Sequence, residues 1–170
     1  MDQSLEIVNR VAQSGLISLD LEELVPDKSE ESLDIKEQLF QGLMLKEKDF
    51  RAWVKENDWS VYKDSYVAIY CSADAIVPTW AYMLITAALE PYTSECFFCN
   101  PSSLSALVAE KYLNLVEVEQ YKDCRVVIKG CGHREISNHA YVKLTTMLLP
   151  YAKTVMFGEP CSTVPVFKRK

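Results

Sequence analysis

The chain contains one stretch of sequence twice. Residues 62–104 align without a gap on residues 121–163, 59 positions further on, and 14 of the 43 aligned pairs are identical. At ordinary composition, random pairing would give roughly two or three identities. Both copies have the same order: Tyr-Lys-Asp, a strand, a loop that carries cysteine, a helix, Pro-Tyr, a second strand and a loop that contains proline. The sequence therefore predicts a strand–helix–strand unit that is used twice.

The repeats predict the fold class. Short runs rich in β-branched, aromatic or other apolar residues predict strands at 66–71, 95–99, 125–129 and 154–157. Longer apolar segments between them predict helices at 79–90, 102–113 and 138–149, the first of them apolar on almost every side and so buried on most sides. Strands that alternate with helices favour an α/β fold with a mainly parallel sheet flanked by helices. A ferredoxin-like α+β fold is the alternative, but its halves are joined by a hairpin, whereas a helix at 102–113 is available here.

The rest of the chain completes a single predicted domain, 1–170. Its N-terminal, mostly helical segment spans 1–60, and the connecting helix 102–113 separates repeat one (62–104) from repeat two (121–163). Within the N-terminal segment we predict a helix at 6–13, a strand at 16–21, a loop at 25–32 and helices at 34–43 and 46–57. The Gly-Glu-Pro-Cys-Ser-Thr segment after the last strand is predicted to turn the chain into a tail.

Composition excludes some classes of partner. A net charge of −6 and a pI near 5.0 argue against nucleic acid, which needs clustered Lys and Arg. The first ten residues have no apolar run, and the longest apolar stretch, 79–89, is too short to span a bilayer. We therefore expect a soluble, cytoplasmic protein with no membrane partner. A second copy of the chain, in a homo-oligomer, and an unidentified small-molecule ligand are the partners that composition does not exclude.

Cysteines predict one site. Six cysteines in a reducing compartment are thiols, metal ligands or catalytic groups rather than disulfides. Cys71 ends the first strand of repeat one and Cys131 follows its counterpart, while Asp74 aligns with His133 and Cys161 follows the final strand. Because the carboxyl ends of parallel strands share one edge, we expect these groups on one rim. Thiolates with a histidine or carboxylate are ligands of zinc or of an iron–sulfur cluster. Zinc is favoured, because the spacing matches no cluster motif.

The remaining thiols are predicted to lie outside this site. Cys96 and Cys99 form a Cys-x2-Cys pair, but on a strand residues i and i+3 point to opposite faces, so they should share neither a metal nor a redox disulfide. Cys96 should pack in the core, and Cys99 is a reserve ligand at the rim. Cys124 precedes a strand and should lie at the opposite edge.

Two other functions fit the same residues. Cys71 or Cys131 as a nucleophile, with His133 as base and Asp74 orienting it, would make a cysteine-dependent enzyme. A non-enzymatic interaction protein with structural cysteines is the other. His139 is interpreted as a packed or capping residue. The sequence does not reveal a reaction.

Several segments resemble a known family. They are VAIYCSADAIVPTWAYM at 67–83, VIKGC at 127–131, MFGEPCSTVP at 156–165 and LMLKEKDFR at 43–51. The chain resembles, from about residue 14 to its C-terminus, a family of uncharacterised bacterial proteins known only as a domain of unknown function. The resemblance implies no activity. Its pattern includes Cys71, Asp74, Cys131 and Cys161, whereas His133 lies outside it.

Overall fold

A computed structural model describes residues 15–130, 132 and 134–170. The helix predicted at 6–13 lies outside these residues. The chain divides into two compact units. We refer to Asp27–Val108 as the inserted unit, and to residues 15–26 with Ala109–Lys170 as the split unit, because the former interrupts the latter in sequence. The predicted single domain stays a prediction.

Helices and strands alternate along most of the chain. In chain order they are β1 (Leu16–Asp20), α1 (Leu21–Leu24), β2 (Glu30–Asp34), α2 (Glu47–Glu56), β3 (Tyr66–Tyr70), α3 (Thr79–Leu89), β4 (Cys96–Phe98), α4 (Leu104–Leu113), β5 (Arg125–Lys129), α5 (Asn138–Leu148), β6 (Thr154–Glu159) and β7 (Ser162–Lys168). Short 3-10 helices lie at Lys36–Gln38, Trp59–Tyr62, Pro101–Ser103 and Val118–Tyr121.

The strands form two mostly parallel sheets. The inserted unit holds the parallel sheet β2-β3-β4, and the split unit holds β1-β5-β6-β7, in which only β7 is antiparallel. The predicted α/β fold, with mainly parallel pairing and flanking helices, is confirmed. The ferredoxin-like alternative does not apply, because each crossover joins neighbouring strands (β3 to β4, and β5 to β6) rather than leaving a gap for a third. The strands divide between two sheets, however, where one was expected.

The two copies of the repeat have the same elements at the same offset. β3 and β5 lie 59 positions apart, as do α3 and α5 and the 3-10 helices that precede the strands. Asp64 and Asp123 both have a left-handed backbone, with φ of 57° and 59°. Their N–H groups donate to the carbonyls of Tyr92 and Tyr151, at 3.2 and 3.0 Å. Duplication as the origin of this likeness stays a prediction.

The likeness extends to a strand that the alignment missed. β1 and β2 both end in Ser-Leu-Asp, and both pair with the first strand of a repeat copy. Each final aspartate accepts a hydrogen bond from the N–H two residues later: Asp20 from Glu22 and Asp34 from Lys36, both at 3.0 Å. These strands lie 14 positions apart rather than 59, so a single alignment offset cannot detect them.

Equivalent helix positions supply the two cores. α3 buries Ala81, Ile85 and Leu89, and α5 buries the residues 59 positions later, Ala140, Leu144 and Leu148. This spacing gives each helix one buried face. The prediction that the helix at 79–90 is buried on most sides is wrong, because Met83 on its outer face is 67% exposed.

Three segments differ from the sequence predictions. The helix predicted at 34–43 is wrong: Asp34 ends β2, only one 3-10 turn follows, and Gln41 and Gly42 have positive φ angles. The predicted loop 25–32 contains the start of β2, whose two glutamates are poor strand formers. The predicted C-terminal tail is the edge strand β7, a position that tolerates Pro165. For β2 and β7, pairing with a neighbouring strand overrides local propensity.

Candidate ligand-binding cleft

The structure places three of the five predicted metal ligands. Cys71 directly follows β3; it is half-buried, and its Sγ lies 3.7 Å from the carbonyl oxygen of Ala73. Asp74 is exposed in the same loop. Cys161 is exposed in the turn between β6 and β7. Cys131 and His133 lie outside the described residues.

These residues follow strands of different sheets. Cys71 and Asp74 follow a strand of the inserted unit, whereas Cys161 follows a strand of the split unit. Within the described ranges, no three His, Cys, Asp or Glu side chains form a group that could hold a metal ion. The metal site stays a prediction.

The three other described cysteines, Cys96, Cys99 and Cys124, form no disulfide and occupy separate environments. Cys96 lies in β4 and packs against the core of the inserted unit. Cys99 follows β4, where burial, and secondarily the carboxylate of Glu30, raise the pKa of its thiol. Cys124 precedes β5, with its Sγ 3.4 Å from the carbonyl oxygen of Lys122.

A cleft of about 680 Å³ opens in the split unit, beside the carboxyl end of β5 and against α5. Its walls are mostly apolar. The lining residues are Ile128, Gly130, Arg134, Glu135, Ile136, Asn138, Tyr141, Val142, Thr145, Thr146, Met156, Phe157 and Val166. Ligands of open parallel sheets bind at this edge, in concave sites with apolar walls and a few polar groups.

Tyr141 organises one wall of the cleft. Its hydroxyl donates to the carbonyl oxygen of Gly130 at 2.8 Å. Its ring meets that of Phe157 edge to face, with centroids 5.5 Å apart and planes at 78°. A Cβ atom at position 130 would overlap the Tyr141 hydroxyl, so only glycine allows this approach.

The loop between β5 and α5 is tied to α1. The carboxylate of Glu22 accepts the N–H groups of Gly132 at 2.9 Å and Arg134 at 3.3 Å. The Arg134 guanidinium donates in return to the carbonyl oxygens of Glu22, Val25 and Pro26. These charge-assisted bonds fix Arg134 at the cleft wall.

Charged groups at three neighbouring strand ends also meet. The Lys129 ammonium at the end of β5 lies 3.5 Å from the carboxylates of both Asp20 at the end of β1 and Glu159 at the end of β6. Glu159 is the main cause of a raised pKa for Lys129; desolvation opposes the rise and Asp20 supports it. The lysine therefore stays protonated at neutral pH and ties the strand ends together.

Sequence reasoning missed most of the cleft. The recurrence of Tyr82 and Tyr141 at equivalent helix positions predicts a shared core or polar-tip role rather than catalysis, and the Tyr141–Gly130 hydrogen bond fits a polar tip. Sequence reasoning interpreted His139 as packed or capping, and this is wrong, because His139 is exposed on α5 with Nε2 3.9 Å from the Glu110 carboxylate. The available signal was the identity of Phe98 and Phe157, which the alignment pairs although both are exposed.

Comparison with known proteins gives a family but no activity. In the part of the chain that the structure describes, no helix has the length and apolar character needed to cross a membrane. No curated protein and no solved structure matches the chain. The model of the family described as "Protein of unknown function (DUF2480)" matches residues 5–169, and the chain therefore belongs to that family.

Proposed function

We propose that this protein binds a small molecule with a planar aromatic body in the cleft of the split unit. The observation that carries the proposal is the cleft itself: about 680 Å³, beside the carboxyl end of β5, with mostly apolar walls. This volume falls within the range of roughly 300–1,000 Å³ typical of ligand sites.

The chemistry of the walls supports an aromatic occupant. Phe157 is 38% exposed, and its ring meets that of Tyr141 edge to face, so part of the aromatic surface is accessible to a second ring. Asn138 and Thr145 on α5 line the same cleft and can hydrogen-bond to polar atoms at the edge of a ligand. Arg134 and Glu135 add one charge of each sign.

Titration with indole, followed by two-dimensional amide NMR, tests the proposal. Saturable shifts are expected for residues 141–146 and for Phe157. A Thr145→Trp variant places an indole in the cleft and should weaken binding there about tenfold or more, because the added ring fills the volume that a ligand would use.

His139→Trp is the matched control. His139 lies on the same helix but does not line the cleft, and the residue 59 positions earlier is already a tryptophan, Trp80. The affinity of His139→Trp for indole should stay within about twofold of that of the wild type. The proposal is wrong if indole causes no saturable shift, or if Thr145→Trp binds as well as His139→Trp.

A thiolate-rich metal site is the second candidate. It rests on the sequence alone, which predicts Cys71, Cys131 and Cys161 as ligands with Asp74 or His133 completing the shell. Zinc is the expected metal, and an iron–sulfur cluster is the alternative.

Elemental analysis of protein purified without chelators tests this candidate. The wild type should contain about one zinc per chain, and Cys131→Ser should lose it. Cys124→Ser is the control, because Cys124 precedes β5 at the opposite end of the strand. Wild-type protein without metal, or full loading of Cys131→Ser, would remove this candidate.

A further inference from the structure

We propose that the inserted unit carries a second ligand cleft, equivalent to the first and selective for an uncharged aromatic ring. This inference rests on the proposed function, because it assigns the same class of ligand to the second site. The cleft has a volume of about 460 Å³ and lies between α3 and β4.

The two clefts are built from the same positions. Each of the seven residues that line the second cleft lies 59 positions before a residue that lines the first. Tyr, Thr and Phe are identical in both, as Tyr82, Thr86 and Phe98 in the second cleft. The Tyr82 and Phe98 rings also meet edge to face, with centroids 4.7 Å apart.

Core packing explains only part of this recurrence, because Val77 and Tyr82 pack against the core of the inserted unit whereas Met83 and Phe98 are exposed. The buried residues of α3 and α5 lie on a different face of each helix from the cleft residues. Phe98 is 72% exposed, Met83 is 67% exposed, and Val142, which corresponds to Met83, is 66% exposed. Apolar side chains as exposed as these contribute little to folding. A shared binding role would explain why they recur at the same positions of both clefts.

One difference determines which ligand each cleft favours. Ala75 takes the position of Arg134, and none of the described residues that line the second cleft is charged. A charged ligand would lose its hydration there without gaining a partner, which is costly. A neutral planar ring fits instead, stacked on the exposed face of Phe98 next to the Thr86 side chain.

The indole titration separates this inference from the proposed function, because amide NMR resolves the two sites. In the wild type, residues 82–86 and Phe98 should shift and saturate independently of residues 141–146. Thr86→Trp should weaken indole binding about tenfold or more at the second cleft only, and Thr145→Trp should do so at the first cleft only. Indole-3-acetate, which carries a charge, should bind the second cleft at least about tenfold more weakly than indole does.

Three other results would each overturn either this inference or the proposed function. Indole shifts at the first cleft alone would overturn this inference and leave the proposed function intact. Shifts at the second cleft alone would do the reverse. If residues near Met83 and Phe98 shift on dilution of the protein but not with indole, the surface is an interface between copies of the chain, and the second site is wrong.

Discussion

Gly130 and Tyr141 show how one residue shapes the first cleft. We predict that Gly130→Ala lowers the free energy of unfolding by about 1–3 kcal/mol, because the added Cβ displaces the Tyr141 hydroxyl from the Gly130 carbonyl. Chemical denaturation monitored by circular dichroism measures the loss.

A double-mutant cycle controls this prediction. Tyr141→Phe removes the hydroxyl that the new Cβ would meet, so Gly130→Ala should cost much less in that background. An equal cost in both backgrounds would place the strain elsewhere, for example in the backbone of residue 130.

The thiols should differ in reactivity according to their surroundings. Burial, aided by the Glu30 carboxylate, raises the pKa of Cys99, whereas Cys161 is exposed. We predict that iodoacetamide at pH 7.5 modifies Cys161 several times faster than Cys99, because only the thiolate reacts. Peptide mass spectrometry after a short labelling time gives both rates.

The same measurement bears on the cysteine-nucleophile alternative. Labelling in denaturant should make the two rates equal, which controls for local sequence effects. Labelling of Cys71 or Cys131 well ahead of Cys161 would favour an activated nucleophile, whereas faster labelling of Cys99 than of Cys161 would contradict the prediction.

At the scale of single elements, Asp34 fixes the end of β2. Its carboxylate accepts the Ser72 hydroxyl at 2.6 Å and the N–H groups of Ser72 and Lys36 at 3.1 and 3.0 Å. Desolvation raises the pKa of Asp34, but these bonds and the Lys36 charge outweigh it, so the net pKa is lowered. The stabilisation is therefore present above the unfolded-state pKa of about 3.9 and is lost as the pH falls below it.

We predict that Asp34→Asn reduces the acid sensitivity of the inserted unit. Between pH 6 and pH 3, its free energy of unfolding should fall less than that of the wild type, because the variant has no carboxylate to protonate there. Tryptophan fluorescence is the probe, since Trp53, Trp59 and Trp80 all lie in this unit. Ser72→Ala removes the 2.6 Å hydrogen bond, so its loss of unfolding free energy between pH 6 and pH 3 should lie between those of the wild type and Asp34→Asn. The same loss in all three proteins would contradict the prediction.

Elements within the repeats were predictable from sequence, as were β1 and α2 outside them, whereas β2 and β7 were not. β5 has the predicted bounds, and α3 and α5 each end within one residue of them, because apolar patterning and the prolines mark these segments twice. β2 and β7 form because a neighbouring strand pairs with them, which local composition does not report. The cleft was missed for a related reason: exposed aromatic residues acquire a role only once α5 and β6 lie side by side.

At the scale of the whole molecule, the inserted unit is continuous in sequence and carries its own core. We predict that a fragment of residues 27–114, which keeps α4 whole, folds alone and unfolds in one cooperative transition. The core residues Leu33, Phe50, Ile69 and Ile85 all lie within it. Tryptophan fluorescence in urea and dispersion of the amide NMR spectrum are the measurements.

Phe50→Ala in the fragment is the control for a specific core. Phe50 is fully buried, so truncation should lower the stability by about 3–5 kcal/mol or unfold the fragment. A fragment with a collapsed amide spectrum, or one that does not respond to Phe50→Ala, would mean that this unit does not fold independently.

The interruption of the split unit has a consequence for synthesis on the ribosome. β1 pairs in parallel with β5, so Leu16 can pair only after Arg125 has been translated. At about 5–20 residues per second this delay is on the order of 5–20 s, long enough for the intervening segment to fold first. That folding would bring the two ends of a long loop closer together and reduce the entropy cost of its closure. Until then β1 is an unpaired strand that another nascent chain could capture, so the long-range pairing sets both the order of folding and the interval in which misassembly is most probable.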